Sequence, residues 1–238
     1  MRRTRVKICG LTRVDDVVAA VQAGADAIGL VFYPASARRV SLDQAQNLRA
    51  TVPAFVDVVS LFVNATREQV QAVIDHVKPD LLQFHGDESP GFCASFQHRY
   101  LRAFRLGAPG LDSPDAVLRS CRQFGDAAGW LFDSYSAGYG GSGQTFDSAL
   151  LHAVRQAPDS RSIILAGGMT PTSVAAAIQS VQPYAVDVSS GVETSPGIKS
   201  AEKIRAFIRA ASKQDRVASG NDKPHESSLD STNVSDTI

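Results

Sequence analysis

Reactive side chains end two short apolar segments of this chain. Cys9 ends residues 5–9, and Asp133 ends residues 129–133. A cysteine thiolate can accept a proton, and a carboxylic acid can donate one. Strand alternation places Lys7 on the same side as Cys9, where its ammonium group would favour the thiolate. The two residues therefore predict acid–base chemistry.

Each of these residues also has a structural interpretation. A lone cysteine often packs as a small buried apolar side chain, and an aspartate after a strand often caps a helix or a loop. For Cys93 and Cys121, which fall within helical patterns, the structural interpretation is favoured. The sequence leaves both roles open for Cys9 and favours a functional role for Asp133.

Small residues after two later segments favour a phosphate site. Gly167-Gly168 follows the apolar segment 162–166. Ser189-Ser190-Gly191 begins at the last residue of the segment 185–189 and continues beyond it. Small residues expose backbone N–H groups, which bind anions, although such glycines can also serve only to make tight turns. A further glycine-rich stretch, residues 137–143, is long enough to form a lid or a substrate cradle.

Three more polar residues follow or lie within apolar segments. Arg38 could bind a carboxylate or phosphate, or lie in a solvated loop. Asp187 requires a partner if it is buried, and Lys7 is one candidate; a substrate contact is the other. His85 could line a pocket, but a structural histidine is favoured.

The elements that must position these residues alternate regularly. Eight short apolar runs, typical of buried parallel strands, are separated by eight helical patterns. The runs cover residues 5–9, 27–32, 56–63, 81–85, 101–106, 129–133, 162–166 and 185–189. This order predicts an α/β protein with a single (β/α)8 TIM barrel, in which catalytic groups follow the carboxyl ends of the strands. A doubly wound sheet is the alternative, but it usually has a glycine-rich first turn, and Cys9-Gly10-Leu11-Thr12 is not one.

Local signals mark several helix ends. Ser41 with Gln44 and Thr66 with Gln69 fit capping boxes. Prolines after Ser113 and Thr170 fit first helical positions, and Gly24 fits a helix end. The last helix is expected between about residues 200 and 211.

Composition narrows the class of protein. The 238 residues carry 24 basic and 24 acidic side chains, which argues against a nucleic-acid or membrane partner. No apolar run has the length of a membrane span, and the basic N-terminus leads into no secretory apolar region. Three widely spaced cysteines match neither a disulfide framework nor a metal site, so we expect a cytoplasmic protein with no metal and no cofactor.

The C-terminal residues differ from the rest. Residues 213–238 are rich in Ser, Asp, Asn, Lys and Thr and contain few apolar side chains. Such a composition cannot bury a core. We therefore expect a catalytic barrel over residues 1–212 and a disordered polar tail over residues 213–238.

The motifs together resemble the phosphoribosylanthranilate isomerase family of tryptophan biosynthesis. The resemblance spans residues 5 to about 208 and is carried by Val6-Lys7-Ile8-Cys9-Gly10-Leu11-Thr12, Gly24-Ala25-Asp26-Ala27-Ile28-Gly29, Phe32-Tyr33-Pro34, Gln83-Phe84-His85-Gly86, Phe132-Asp133, Tyr139-Gly140-Gly141-Ser142-Gly143, Ala166-Gly167-Gly168 and Val186-Asp187-Val188-Ser189-Ser190-Gly191-Val192-Glu193. It implies a barrel that carries out an Amadori rearrangement of a phosphosugar without a metal or redox cofactor. The family includes monomers and homodimers, so either assembly is expected.

The resemblance also implies residue roles. Cys9 matches the general base and Asp133 the general acid. Arg38 matches a contact to the anthranilate part of the ligand and Asp187 one near its amino group, and His85 is a further substrate-binding candidate. The matching phosphate-binding residues are Gly141, Ser142, Gly143, Gly167, Gly168, Ser189, Ser190 and Gly191.

Two positions depart from the family pattern. Relatives commonly have lysine where this chain has Gln144 and tryptophan where it has Ser148. These changes bear on the glycine-rich loop and not on the acid and base.

Three other functions are alternatives for a barrel of this kind. Indole-glycerol-phosphate synthase would favour a catalytic lysine with an extra N-terminal segment, and the histidine-pathway aminoaldose isomerase an aspartate at position 9. A non-catalytic phosphosugar-binding barrel should tolerate loss of Cys9 or Asp133.

Overall fold

The computed structural model describes residues 3–134 and 147–218, with side chains described through residue 213. Eight parallel strands form a closed barrel in the order β1 to β8. The fold is therefore the predicted (β/α)8 barrel. The strands are β1 Arg5–Cys9, β2 Ala27–Val31, β3 Asp57–Phe62, β4 Leu81–Phe84, β5 Tyr100–Leu106, β6 Gly129–Ser134, β7 Ser162–Leu165 and β8 Ala185–Val188.

Eight α-helices alternate with these strands. They are α1 Val14–Ala23, α2 Leu42–Ala50, α3 Arg67–Val77, α4 Pro90–Ala94, α5 Pro114–Arg122, α6 His152–Gln156, α7 Val174–Val181 and α8 Ala201–Ala218. None of the helices in the described part of the chain combines the length and the apolar character that crossing a membrane requires.

Most of the predicted helix signals are present. Gly24 ends α1 with a φ of 96°, a left-handed conformation that glycine adopts without penalty. Thr66 and Gln69 form the complete capping box of α3. Ser41 caps α2 by accepting from the Gln44 backbone, but the Gln44 side chain donates to the Thr12 carbonyl instead of completing the box.

Two helix limits differ from the predictions. Pro171 is not at a first helical position, because residues 171–173 form a turn before α7 and the Ser173 backbone donates to the Thr170 hydroxyl. The last helix continues to Ala218, since no glycine or proline interrupts it before Gly220. The disorder predicted for residues 219–238 lies outside the described residues.

An additional hairpin follows the barrel. Strands β9 Glu193–Ser195 and β10 Ile198–Lys199 pair in antiparallel fashion between β8 and α8. This hairpin was not predicted, although Pro196-Gly197 is a strong turn signal.

The apolar side chains form two layers, as strand alternation requires. Outward-facing residues such as Ile8 pack against the helices in the large outer cluster. Inside the barrel, one cluster contains Val59, Leu81, Leu101, Ala103, Leu131, Ile164, Ala166 and Ala185. Above it lies a small cluster of Cys9, Val31, Leu61 and Val63. Lys7 and Cys9 thus lie on the interior side of β1, as predicted.

A buried ion pair holds the loops that follow β3 and β4. Arg102 Nη1 lies 2.8 Å from Glu88 Oε2, with the Glu88 side chain only 3% exposed. Glu88 also accepts from the backbone N–H groups of Asn64 and Gly86, and Arg102 donates to the Gly86 carbonyl. The pair therefore fixes the chain on both sides of His85.

Removing the Glu88 charge should destabilise the barrel strongly. Glu88→Gln leaves the Arg102 guanidinium buried without its counter-ion, which typically costs about 3–5 kcal/mol of unfolding free energy. Urea unfolding monitored by circular dichroism measures this loss. Asp159→Asn, which breaks an exposed ion pair with Arg122, is the control and should leave the midpoint nearly unchanged. Equal small effects of both substitutions would contradict the proposed importance of the buried pair.

Candidate active site

One cavity at the carboxyl ends of the strands collects the candidate site residues that the structure describes. This placement agrees with the general location of active sites in this fold. Its lining includes Cys9, Arg38, His85, Asp133, Gly167, Gly168, Asp187, Ser189, Ser190 and Gly191. Three further predicted phosphate-binding residues, Gly141, Ser142 and Gly143, lie outside the described residues, as does Gln144.

The floor of the cavity carries a buried ion pair. Lys7 on β1 and Asp187 on β8 are register partners, and Lys7 Nζ lies 2.9 Å from Asp187 Oδ1. Burial alone would lower the pKa of Lys7, but Asp187 and Cys9 raise it above the ordinary lysine value. Lys7 is therefore a cation inside the barrel, and Asp187 has the partner that the sequence suggested.

Lys7 favours ionisation of Cys9, as predicted, but burial acts against it. Burial raises the pKa of the Cys9 thiol above its ordinary value; Lys7 opposes this rise and Asp187 adds to it. The nearby ammonium group was expected to favour the thiolate, but desolvation outweighs its effect at a site only 5% exposed. Burial therefore opposes formation of the thiolate, and Lys7 favours it.

Asp133 at the end of β6 faces His85, which follows β4. His85 Nε2 lies 3.4 Å from Asp133 Oδ2, and the two side chains are 14% and 18% exposed. Asp133 Oδ1 accepts from the Ser134 backbone at 2.8 Å. One carboxylate oxygen is thus held by the backbone, while the other faces the imidazole.

Gln83 connects the two halves of the site and was not predicted as a site residue. It accepts from Lys7 Nζ at 3.0 Å, and its Nε2 lies 3.1 Å from His85 Nδ1. Gln83 and His85 are two residues apart on and just after β4, so alternation places both toward the cavity. That spacing was the available signal in the sequence.

The loops after β7 and β8 need glycine at two positions. Gly167 has a φ of 82°, and a Cβ there would lie 2.7 Å from the Ser134 nitrogen. A Cβ on Gly191 would lie 1.9 Å from the Met169 carbonyl oxygen. Backbone thus approaches backbone at this rim of the cavity, the close packing that an N–H lined anion site requires.

Arg38 is held in place by an acidic residue, Glu193, to which the sequence analysis assigned no role. Arg38 Nε and Nη2 each donate to Glu193 at 2.7 Å, a bidentate pair. Lys199 Nζ lies 2.8 Å from Glu193 Oε1 and also donates to the Ser189 carbonyl. Glu193 and Lys199 lie on the unpredicted hairpin, whose Pro-Gly turn was the signal that could have found them.

The charges in this network support one another. Burial alone would raise the pKa of Glu193, but hydrogen bonds from Arg38 and Lys199 lower it. Burial lowers the pKa of Lys199, although Glu193 opposes that shift. Glu193 is consequently an anion that fixes the orientation of the Arg38 guanidinium.

The arrangement suits proton transfer on an anionic ligand. A thiol and a carboxyl group share the cavity with an arginine and with glycine turns. Within residues 3–134 and 147–218, no three His, Cys, Asp or Glu side chains are grouped as metal ligands would be.

Comparison with known proteins gives a consistent result. Residues 6–210 match the family model for N-(5'-phosphoribosyl)anthranilate isomerase. The protein of that name from Bordetella bronchiseptica is 64% identical over 216 residues, covering 91% of this chain and 99% of the relative.

Two solved structures are also similar. A phosphoribosylanthranilate isomerase in complex with reduced 1-(o-carboxyphenylamino)-1-deoxyribulose 5-phosphate has a TM-score of 0.75 and 34% identity, covering 87% of this chain and 98% of that one. Monomers generated from the dimeric enzyme of Thermotoga maritima have a TM-score of 0.75 and 33% identity, with the same coverage of both chains.

Cys9 should be alkylated by iodoacetamide only at high pH in the folded, ligand-free protein. Burial raises its pKa, so the reactive thiolate forms at a higher pH than in an unperturbed cysteine, whose pKa is about 8.5. Peptide-level mass spectrometry measures the rate for Cys9 alone across a pH series. The same protein in urea is the control, because its unfolded Cys9 should titrate normally. A lower midpoint in the folded protein than in urea would contradict the assignment.

Proposed function

The chain belongs to the N-(5'-phosphoribosyl)anthranilate isomerase family, and we propose that Cys9 is the general base and Asp133 the general acid of its reaction. The enzyme isomerises N-(5'-phosphoribosyl)anthranilate in tryptophan biosynthesis by an Amadori rearrangement. The observation that supports these two roles is that a thiol and a carboxyl group line the same cavity as an arginine and two glycine turns.

The proton transfers balance with these two groups. Asp133 protonates the ribose ring oxygen as the bond from that oxygen to C1 breaks, and the amino nitrogen forms a Schiff base with C1. The Cys9 thiolate then removes the C2 proton, and the electron pair moves to give an enolamine. The enolamine becomes 1-(2-carboxyphenylamino)-1-deoxyribulose 5-phosphate when C1 gains a proton and the C2 hydroxyl loses one.

The cavity offers groups for both anionic ends of this substrate. Gly167, Gly168, Ser189, Ser190 and Gly191 would bind the phosphate, because small residues let backbone N–H groups reach its oxygens. The glycines at 141 and 143, with Ser142, are proposed to complete this site.

At the other end, Arg38 would bind the anthranilate carboxylate. Its hydrogen bonds to Glu193 use Nε and Nη2, which leaves Nη1 for a ligand. The clamp by Glu193 holds the guanidinium in one orientation before the substrate arrives, so less side-chain freedom is lost on binding. Between the two ends, Asp187 would contact the substrate's amino group, and His85 would contribute a further binding contact.

A cytoplasmic homodimer is the proposed setting of the enzyme. Cys9, Cys93 and Cys121 are free thiols, which fits a reducing compartment. Phe55 is fully exposed with a φ of 70°, a costly conformation for a bulky residue. A second copy of the chain would cover this apolar side chain, and the related Thermotoga maritima enzyme is described as dimeric.

Loss of either proton-transfer group should nearly abolish turnover. Cys9→Ala and Asp133→Asn should each lower kcat about 10²–10⁴-fold, the typical contribution of a positioned acid or base. The loss of phosphoribosylanthranilate fluorescence measures turnover. Affinity for the reduced product analogue, measured by calorimetry, should change little because neither substitution removes an anion-binding group.

Cys93→Ala is the control for Cys9, since Cys93 is buried outside the site and should be dispensable for turnover. Normal single-turnover isomerisation by Cys9→Ala or Asp133→Asn would refute the role of that residue. Normal turnover by both would favour a different set of catalytic groups in the same cavity.

Phe55→Glu should shift the protein from dimer to monomer, because the charge cannot be buried against a second copy. Sedimentation velocity measures the mass of each species. Val14→Glu, which places the same charge at another exposed apolar residue, is the control and should leave the dimer intact. A monomeric wild-type protein at micromolar concentration would contradict the proposed assembly.

A further inference from the structure

Gln83 lies between the two groups to which the reaction assigns proton transfers. It is fully buried and bridges Lys7, which interacts with Cys9, to His85, which faces Asp133. A neutral amide in this position has two different ends, an acceptor oxygen and a donor nitrogen. Its orientation therefore determines which hydrogen bonds its neighbours can make.

The cation at Lys7 fixes that orientation. An ammonium group has three donors and no acceptor, so only the amide oxygen of Gln83 can face it. The observed contact from Lys7 Nζ to Gln83 Oε1 is 3.0 Å. The amide nitrogen must then face His85, where it lies 3.1 Å from Nδ1.

The amide nitrogen in turn fixes the tautomer of the imidazole. An NH2 group can only donate, so His85 Nδ1 must accept and cannot carry a proton. In the neutral ring the proton is then on Nε2. This N–H faces Asp133 Oδ2 at 3.4 Å.

We propose that Gln83 is a positioning residue that holds His85 as the Nε2–H tautomer facing Asp133. The catalytic consequence rests on the proposed role of Asp133 as the acid. With Nε2 already protonated, the imidazole cannot accept a proton at that nitrogen, so it cannot compete with the ribose ring oxygen for the proton that Asp133 donates. Once Asp133 has donated it, the same N–H stabilises the carboxylate that forms.

The opposite tautomer of His85, with the proton on Nδ1, would compete with the substrate for the Asp133 proton. A bare Nε2 would face the Asp133 carboxyl group, and imidazole is the stronger base of the two. The proton would move to His85 and leave Asp133 unable to protonate the substrate. The hydrogen bonds that link Asp187, Lys7 and Gln83 thus determine the tautomer of His85, and this tautomer determines whether Asp133 can keep its proton for the substrate.

Histidine NMR tests the tautomer directly. Two-bond 15N–1H spectra of the wild-type protein should show His85 with a protonated Nε2 and an unprotonated Nδ1. Gln83→Glu should reverse this pattern, because a carboxylate at that position accepts from a protonated Nδ1. His85→Asn identifies the His85 signals among the five histidines.

Two outcomes overturn the proposal. One is a protonated Nδ1 on His85 in the wild-type protein, and the other is an unchanged pattern in Gln83→Glu. If Gln83→Glu does not fold, Gln83→Met is the second variant, because it keeps the side-chain length without the amide. In that variant His85 should populate both tautomers. A single Nε2–H tautomer in that variant would show that Gln83 is not needed.

Kinetics test whether Gln83 acts through His85. Gln83→Glu should lower kcat about 10–100-fold, part of the usual contribution of an acid group, with little change in KM. In the His85→Asn background the same substitution should change kcat less than about twofold, because coupled residues are not additive. Independent, multiplying effects would contradict the proposal.

Gln71→Glu is the matched control. Gln71 is exposed on α3, so this variant makes the same change of charge away from the site and should keep wild-type kcat. The spectroscopic result does not depend on the role of Asp133. A normal rate in Asp133→Asn would refute the acid assignment, whereas an unchanged tautomer in Gln83→Glu would refute the role of Gln83.

Discussion

The buried ion pair between Lys7 and Asp187 is the constraint on which the site depends. These residues are 180 positions apart in sequence, yet they are register partners where β8 pairs with β1 and closes the barrel. Isolated charges in an apolar interior are costly, so each residue requires the other. Closure of the barrel and assembly of the cavity floor are therefore the same event, and the remaining polar contacts are built outward from this pair.

Lys7 makes three contacts that lead to different parts of the chemistry. It pairs with Asp187, moderates the effect of burial on Cys9, and orients Gln83 toward His85. A second network, in which Glu193 joins Lys199 to Arg38, is separate in sequence and lies at the rim. The floor thus contacts the proposed proton-transfer groups, whereas the rim holds the arginine that is proposed to bind the ligand's carboxylate.

Much of the fold was predictable because it depends on local patterns. The eight apolar runs match the strands to within one residue at nearly every end, and Gly24 ends α1 as expected. The Pro171 prediction failed because hydroxyl hydrogen bonds form a turn there first. The effect of Lys7 on the pKa of Cys9 was predicted in the right direction, but the rise caused by burial was not predicted, since a sequence shows the charge of Lys7 but not the depth of burial.

The site's supporting residues were missed for a similar reason. Gln83 lies in a motif that carries the family resemblance, and Lys199 lies in none. The roles of both come from contacts that appear only in the folded barrel. The most direct test of this account is the paired substitution of Lys7→Met with Asp187→Leu, measured by urea unfolding and by turnover. Apolar replacement of a buried ion pair is often neutral or stabilising, so the double variant should remain as stable as the wild type. Its kcat should nevertheless fall at least about 100-fold, which lies within the range expected when one catalytic acid or base is lost. A stable double variant with wild-type turnover would contradict the account.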